Sequence, residues 1–314
     1  MKEDTLDGLT VFLIKILFFI ITFAKIKKKI IVSSAKIYDG LIKYVEIINR
    51  WRKQRVSNAN FLILAAAVVG MLGGVTSSIL KELTHYVANF LQNDLHWEYK
   101  YYLYFFFPLI GIFLTVFYIH TFIRRSKFHH GIPPIIYDVS HGSSKLDFHN
   151  IYSQVISSAL TVGLGGSAGL EAPAVASGAA IGSNIGRFFG LNYRETTLLL
   201  ACGAGAGIAG AFNSPIAGMI FAIEVILPEF SIPAVIPLLI ASAVSSVVSQ
   251  LIVSKPLFVL VTSGWTVQAF WYYILLGILG GIYSIYFSRL NSYIHSLFAK
   301  IKNQYNKVWI GGII

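Results

Sequence analysis

The amino-acid sequence predicts an all-α protein that crosses a membrane several times and contains broken, re-entrant helices. Of the 314 residues, 55% are hydrophobic and only 12% are charged, which is about half the charged share of an average soluble domain. Several apolar blocks are interrupted by Gly, Pro or Asn and fall short of the roughly 20 helical residues that cross a bilayer. Broken helices at membrane depth are tolerated only where protein covers them or where they line a wet cavity.

The first 57 residues are predicted to form a cytoplasmic or interfacial segment, and residues 58–314 the membrane domain. Residues 9–24 are apolar but contain Lys15, and lysines rather than a small-residue cleavage site follow them. We therefore interpret them as an interfacial helix or a marginal span and not as a signal peptide. Residues 34–57 have the basic, amphipathic pattern of a helix on the cytoplasmic surface. At the other end, the apolar run 308–314 stops without a polar tail, so we expect the membrane domain to be incomplete there.

Basic clusters set the predicted topology of the first two spans. Asn58 to about Phe90 is the first span, and the loop Gln92–Glu98 lacks a basic cluster and is placed outside. Tyr101–Ile123 returns, and a cluster after it marks the inner side: Arg124, Arg125 and Lys127. The same bias explains the net charge of +11 better than a nucleic-acid surface does. We therefore predict a lipid bilayer and no nucleic acid as the partner.

The apolar pattern then becomes shorter and more broken before it returns to ordinary spans. We predict four broken blocks, Phe148–Leu164, Glu171–Phe189, Glu195–Ala211 and Pro215–Ile226, followed by two ordinary spans, Ile232–Val253 and Trp271–Leu290.

Two predicted helix starts place glycine ahead of proline inside this broken region. They are His130-Gly131-Ile132-Pro133 and Gly169-Leu170-Glu171-Ala172-Pro173. Proline suits a first helical turn, and free backbone N–H groups at a helix N-terminus attract an anion without a full basic charge. A permeating ion needs such weak binding in order to leave again. Two simple re-entrant turns remain the alternative interpretation.

Glu171 is the most informative residue of the chain, because an acid at the centre of a bilayer costs about 2.5–3.5 kcal/mol. When ionised, its carboxylate competes with an anion for the same N–H donors; when protonated or swung away, it opens the path. The alternative is an acid that only satisfies the helix dipole. Glu224, near the predicted inner end of Pro215–Ile226, is either a proton site or a structural acid.

Three other patterns carry little functional weight. Residues 205–210 match the dinucleotide fingerprint, but no strand precedes them, so close helix packing through small residues explains them better. Residues 165–169 match the serine-hydrolase elbow around Ser167, which leaves an intramembrane serine hydrolase as a remote alternative. One cysteine, Cys202, excludes a disulfide or a Cys-based metal site. We predict no cofactor, no metal and no enzyme activity.

From about Asn58 to Leu290 the chain resembles the chloride channel and chloride/proton antiporter family called CLC. The resemblance is most specific in two runs, Gly182-Ser183-Asn184-Ile185-Gly186-Arg187 and Ala211-Phe212-Asn213-Ser214-Pro215-Ile216-Ala217-Gly218. It implies a CLC-type fold of two inverted repeats, of which this chain holds the first and the start of the second. It also implies a homodimer with one anion pore per subunit, in a bacterial inner membrane.

The resemblance assigns an anion site to the two helix starts. The family's Gly-Ser-Gly-Ile-Pro motif corresponds to residues 129–133, where His130 replaces the serine; an imidazole N–H can still donate to an anion. The family's Gly-Lys/Arg-Glu-Gly-Pro motif corresponds to residues 169–173, where Leu170 replaces the basic residue and Glu171 is the gate. The implied anion-binding residues are His130, Gly131, Ile132, Pro133, Gly169, Leu170 and Ala172.

The resemblance also separates two modes of transport. Antiporters of the family commonly carry a proton-relay glutamate where this chain has Val225, and Glu224 corresponds to the structural acid before it. Valine at that position favours a gated chloride channel, with a chloride/proton antiporter as the alternative. The replacement by His130 leaves chloride, nitrate and fluoride open as the anion.

Overall fold

The computed structural model describes residues 55, 57–89, 106–123, 131–229, 231–253, 267–301 and 304–313. These parts are helical and contain no strand, which confirms the all-α prediction. Most of the predicted N-terminal segment, the predicted outer loop 92–98, the basic cluster 124–127 and both His129 and His130 lie outside the described residues. The proposed boundary between residues 57 and 58 stays a prediction.

Ten α-helices occur in the described residues, together with one π-helical turn at Ala222–Ile226 and one 3-10 turn at Val267–Ala269. The helices are α1 (Asn58–Asn89), α2 (Phe107–Phe122), α3 (Pro133–Ser140), α4 (Asn150–Gly163), α5 (Glu171–Phe188), α6 (Tyr193–Phe212), α7 (Pro215–Phe221), α8 (Ile232–Ile252), α9 (Phe270–Ala299) and α10 (Gln304–Ile313). The chain divides into two compact units, Met1–Pro256 and Leu257–Ile314.

Most predicted helices occur close to their expected bounds, and two differ. Four described helical segments are long and apolar enough to cross a membrane: Asn58–Asn89, Tyr193–Phe212, Ile232–Ile252 and Val267–Ala299. The described part of the second predicted span, α2, has only 16 residues. Helix α9 continues to Ala299, well past the predicted end at Leu290. Neither Gly nor Pro follows Leu290 before that point, so the polar residues end the apolar pattern without ending the helix.

Small residues bring α5 and α6 into backbone contact along their length. A Cβ added to Gly178 would overlap the carbonyl oxygen of Gly203, and a Cβ added to Gly203 would overlap that of Gly178. The predicted packing role of residues 205–210 is confirmed as well, since a Cβ on Gly205 would lie 2.7 Å from the oxygen of Gly218. In lipid, close van der Waals packing of this kind drives helix association.

Buried hydroxyl groups join α1 and α8 to α6. Ser77 donates to the carbonyl oxygen of Gly207 over 3.1 Å, and Ser245 donates to that of Ala206 over 2.5 Å. Ser249 donates to Gly210 over 2.7 Å. These bonds fix the depth of three helices relative to one another, because hydroxyl groups buried at membrane depth have few other partners.

Candidate functional site

The loop from Leu164 to Leu170 turns the chain from α4 into α5 and depends on glycine. Gly165 has φ +92°, a conformation that residues with a side chain rarely adopt. A Cβ on Gly166 would lie 2.6 Å from the carbonyl oxygen of Thr161, to which the Gly166 N–H donates over 2.8 Å. The loop therefore folds tightly against the end of α4 and delivers α5 at Glu171.

Helix α5 begins at Glu171, as predicted. The N-cap residue, Leu170, offers no side-chain oxygen, and no side chain caps the first turn. The N–H groups of a first turn have no partner inside the helix, so they are available to the Glu171 carboxylate or to an anion.

The Glu171 carboxylate bends back over the loop that precedes its helix. Its side chain is exposed, and a Cβ added to Gly169 would overlap Oε2 and lie 2.7 Å from Cδ. The acid thus occupies the space that the missing Gly169 side chain leaves free. This position suits a carboxylate that takes an anion's place and also one that only satisfies the helix dipole.

The second predicted helix start is also present. Gly131 has φ +81°, and α3 follows with Pro133 and Pro134 in its first turn. A cavity of about 190 Å³ is lined by Gly131 together with Ala176 of α5. The structure therefore brings the entry to α3 and the second turn of α5 to the same cavity.

Glu224 and Val225 lie in a π-helical turn, Ala222–Ile226, that directly continues α7. Glu224 is exposed, whereas Val225 is partly buried and packs against the main hydrophobic core. The turn also contacts α3, the helix whose start is a predicted anion segment. Sequence reasoning missed this turn; single π-helical turns are frequent at functional sites, but no local residue pattern announces one.

Lys81 was also missed, because it lies inside the predicted first span. Its side chain is 2% exposed, and Nζ donates to the carbonyl oxygen of Gly210 over 2.9 Å and to Oγ of Ser249 over 2.8 Å. The available signal was the Lys81–Glu82 pair in an otherwise apolar helix, since ionisable residues within spans are rare and functional by default.

The structure gives the hydrolase alternative no support. Ser167 lies on the loop between two helices, α4 and α5, whereas the hydrolase elbow requires a strand before the serine. The sequence holds one histidine after residue 167, His295, and it lies on α9. No group of three or more His, Cys, Asp or Glu residues that would hold a metal occurs in the described part of the chain, and Cys202 is buried and free.

Residues 111–314 match the sequence profile of the family described as voltage gated chloride channel. One curated relative, the H(+)/Cl(-) exchange transporter ClcA of Klebsiella pneumoniae (strain 342), is 29% identical over 276 residues, which cover 83% of this chain and 58% of the relative. Another, chloride channel protein CLC-f of Arabidopsis thaliana, is 32% identical over 199 residues, which cover 56% of this chain and 24% of the relative.

Two solved structures share the fold. A CLC-type fluoride/proton antiporter is 25% identical with a TM-score of 0.68, over 81% of this chain and 63% of that chain. A slow cyanobacterial Cl-/H+ antiporter is 24% identical with a TM-score of 0.66, over 80% of this chain and 63% of that chain. This chain therefore spans less than two thirds of the proteins to which it is similar.

Proposed function

The chain belongs to the voltage gated chloride channel family, and we propose that it exchanges a small anion for protons across a membrane. Glu171 is the residue at which the two ions meet. Its ionised carboxylate takes the place of an anion at the start of α5, and its protonated form leaves that place. One side chain thereby ties anion entry to proton binding.

The observation that carries this proposal is the fold of Glu171 over Gly169. An acid in the first turn needs only to approach the N-terminus to satisfy the dipole. Here the sequence also keeps position 169 free of a side chain, and the carboxylate fills that space. Backbone N–H groups of Gly169, Leu170 and Ala172 would hold the anion when the carboxylate leaves. His130, Gly131 and Ile132 would supply N–H donors before α3, and Pro133, which has no N–H of its own, starts that helix.

Exchange is the better supported of the two transport modes. The printed name of the relative that matches over 83% of this chain is an exchange transporter, and both structural neighbours are described as antiporters. Val225 supports the second candidate, a gated chloride channel, because an acid is missing at the family's relay position. We give the relatives more weight, since one residue in the relay position does not exclude another route for protons.

A reversal-potential measurement in liposomes separates the two candidates. With equal chloride and a tenfold proton gradient, an exchanger has a reversal potential displaced from zero, whereas a passive chloride channel reverses at zero. The Glu171→Gln variant is expected to conduct the anion without proton coupling at every pH. A displaced potential that persists in Glu171→Gln would remove Glu171 from the mechanism.

We extend the same proposal to the setting of the site. The transporter acts as a homodimer with one anion path per subunit, in the inner membrane of a bacterium; the matched exchange transporters named ClcA come from bacteria. Chloride is the first anion to test and fluoride the second, because one neighbour carries each. Native-mass measurement of the detergent-solubilised protein tests the dimer.

A further inference from the structure

The packing of α5 on α6 follows a regular antiparallel register. From one contact pair to the next, the contacting residues shift by about one turn towards the start of α5 and one turn towards the end of α6. The approaching pairs are Gly186 with Thr196, Gly182 with Leu199, Gly178 with Gly203, and Ala174 with Gly207. One more turn along both helices places Glu171 level with Gly210, because equal steps along two α-helices cover equal lengths.

Lys81 reaches this same level from α1, which packs against both α5 and α6. Its Nζ donates to the carbonyl oxygen of Gly210, and Ser249 of α8 accepts a second bond from it. Ser249 is itself held by a bond to Gly210 and receives another from Ser78. The Lys81 ammonium group therefore lies at the level along α6 at which α5 begins.

No carboxylate pairs with Lys81 among the described residues. Its acceptors are one carbonyl and one hydroxyl oxygen, which hold an ammonium group without neutralising its charge. The neighbouring Glu82 acts on Lys81 electrostatically but is exposed, and a buried charge acts over a longer distance than an exposed one, because water and salt screen it less. The positive end of Lys81 is therefore available to the nearest mobile anion.

We propose that Lys81 is the fixed cation of the anion site, acting on Glu171 and on the transported anion from α1, beside the end of α6. This inference rests on the proposed exchange at Glu171. It places on α1 a positive charge in place of the family's basic residue, which is Leu170 in this chain. A lysine in direct contact would hold the anion too tightly, since transport needs release. A lysine whose Nζ is already bound to Gly210 and Ser249 attracts the anion and leaves it free to move.

Few other charges compete at this level. Glu82 and His85 follow Lys81 on α1 and are exposed. The facing parts of α4, α6, α7 and α8, residues 157–163, 206–212, 215–221 and 242–252, contain no titratable side chain. Among the described residues at this level, Lys81 is thus the buried cation and Glu171 is the acid at the helix start. We expect a change in the charge of one to alter the electrostatic potential at the other.

Two neutral substitutions test the proposal in liposomes that contain the protein. Lys81→Gln keeps an N–H donor and Lys81→Met keeps the approximate length, while both remove the charge. We expect the apparent affinity for chloride to fall about three- to tenfold. We also expect the curve of flux against pH to move to higher pH, because removal of a nearby cation makes protonation of the Glu171 carboxylate easier. Lys81→Arg keeps the charge and should retain both properties.

Three controls separate charge from structure. Arg194→Gln removes the same charge from an exposed position at the far end of α6 and should change neither property. In a Glu171→Gln background, the pH shift should vanish while the loss of chloride affinity persists. If the Glu171→Gln substitution leaves the flux unchanged, the proposed gate at Glu171 fails. The chloride affinity of the Lys81 variants then still tests the role of Lys81. Neutral Lys81 variants that fold and retain both the chloride affinity and the pH curve of the wild type overturn the inference.

Discussion

Gly178 of α5 and Gly203 of α6 approach each other so closely that each occupies the space of the other's absent side chain. Gly178→Ala is expected to destabilise the protein by about 1–3 kcal/mol, because the added methyl group forces the backbones of two packed helices apart. Thermal unfolding in detergent measures the effect. Gly277→Ala is the matched control, since a Cβ on that α9 glycine meets nothing within 4 Å; equal losses in the two variants would contradict the explanation.

Gly169→Ala tests the place of the Glu171 carboxylate without removing the acid. The new methyl group would overlap Oε2, so the carboxylate must leave the loop, and anion flux at high pH is expected to rise towards that of Glu171→Gln. Flux assays at pH 7 and above measure this change. Ser167→Ala is the control on the same exposed loop. Wild-type flux in Gly169→Ala would show that the carboxylate does not block from this position.

Ser183→Ala tests how the segment between α3 and α4 is held. The buried Ser183 hydroxyl donates to the carbonyl oxygen of Ser144 over 2.7 Å and accepts from the Leu146 N–H over 2.9 Å. Its removal leaves two buried backbone groups unpaired, which costs about 1–3 kcal/mol. Thermal unfolding of Ser183→Ala should show this loss, whereas Ser140→Ala at an exposed position should not. An unchanged unfolding temperature in Ser183→Ala would argue against these bonds.

Val225→Glu tests whether proton supply limits exchange at the π-helical turn. The new acid would stand beside exposed Glu224, at the position where family antiporters commonly carry their relay acid. We expect proton flux to rise severalfold while chloride affinity stays unchanged. The neutral variant Val225→Gln controls for polarity alone. If both variants raise proton flux equally, the effect comes from hydration of the turn and not from a titrating acid.

Local sequence signals predicted the helix starts of this fold well, because the signal and the structure involve the same few residues. Glycine and proline mark the start of α3, and proline marks the start of α7. Helix α5 begins at Glu171, directly after its loop, as expected. The burial of Lys81 was not predictable in this way. It depends on Gly210 and Ser249, which follow Lys81 by 129 and 168 positions and meet it only after α1, α6 and α8 have packed.

The π-helical turn was missed for a related reason. Its backbone bonds differ from those of an α-helix by one residue in spacing, and Pro215–Ile226 reads as one continuous helix from its residues. The assignment of Val225 to the family's relay position stays a prediction, and the packing of its turn against α3 was not predictable from local residues. Helix starts, which depend on neighbouring residues, were therefore easier to predict than the contacts between distant segments.

The interlocked backbones of α5 and α6 have a mechanical consequence. Sliding either helix along the other would drive successive carbonyl oxygens into neighbouring backbone atoms at Gly178, Gly182 and Gly203. The serine and lysine bonds from α1 and α8 to α6 oppose the same displacement. We therefore expect this pair of helices to behave as a stiff frame during a transport cycle. In the proposed mechanism the moving part is then a single rotating side chain, Glu171, whose swing needs no rearrangement of the scaffold behind it.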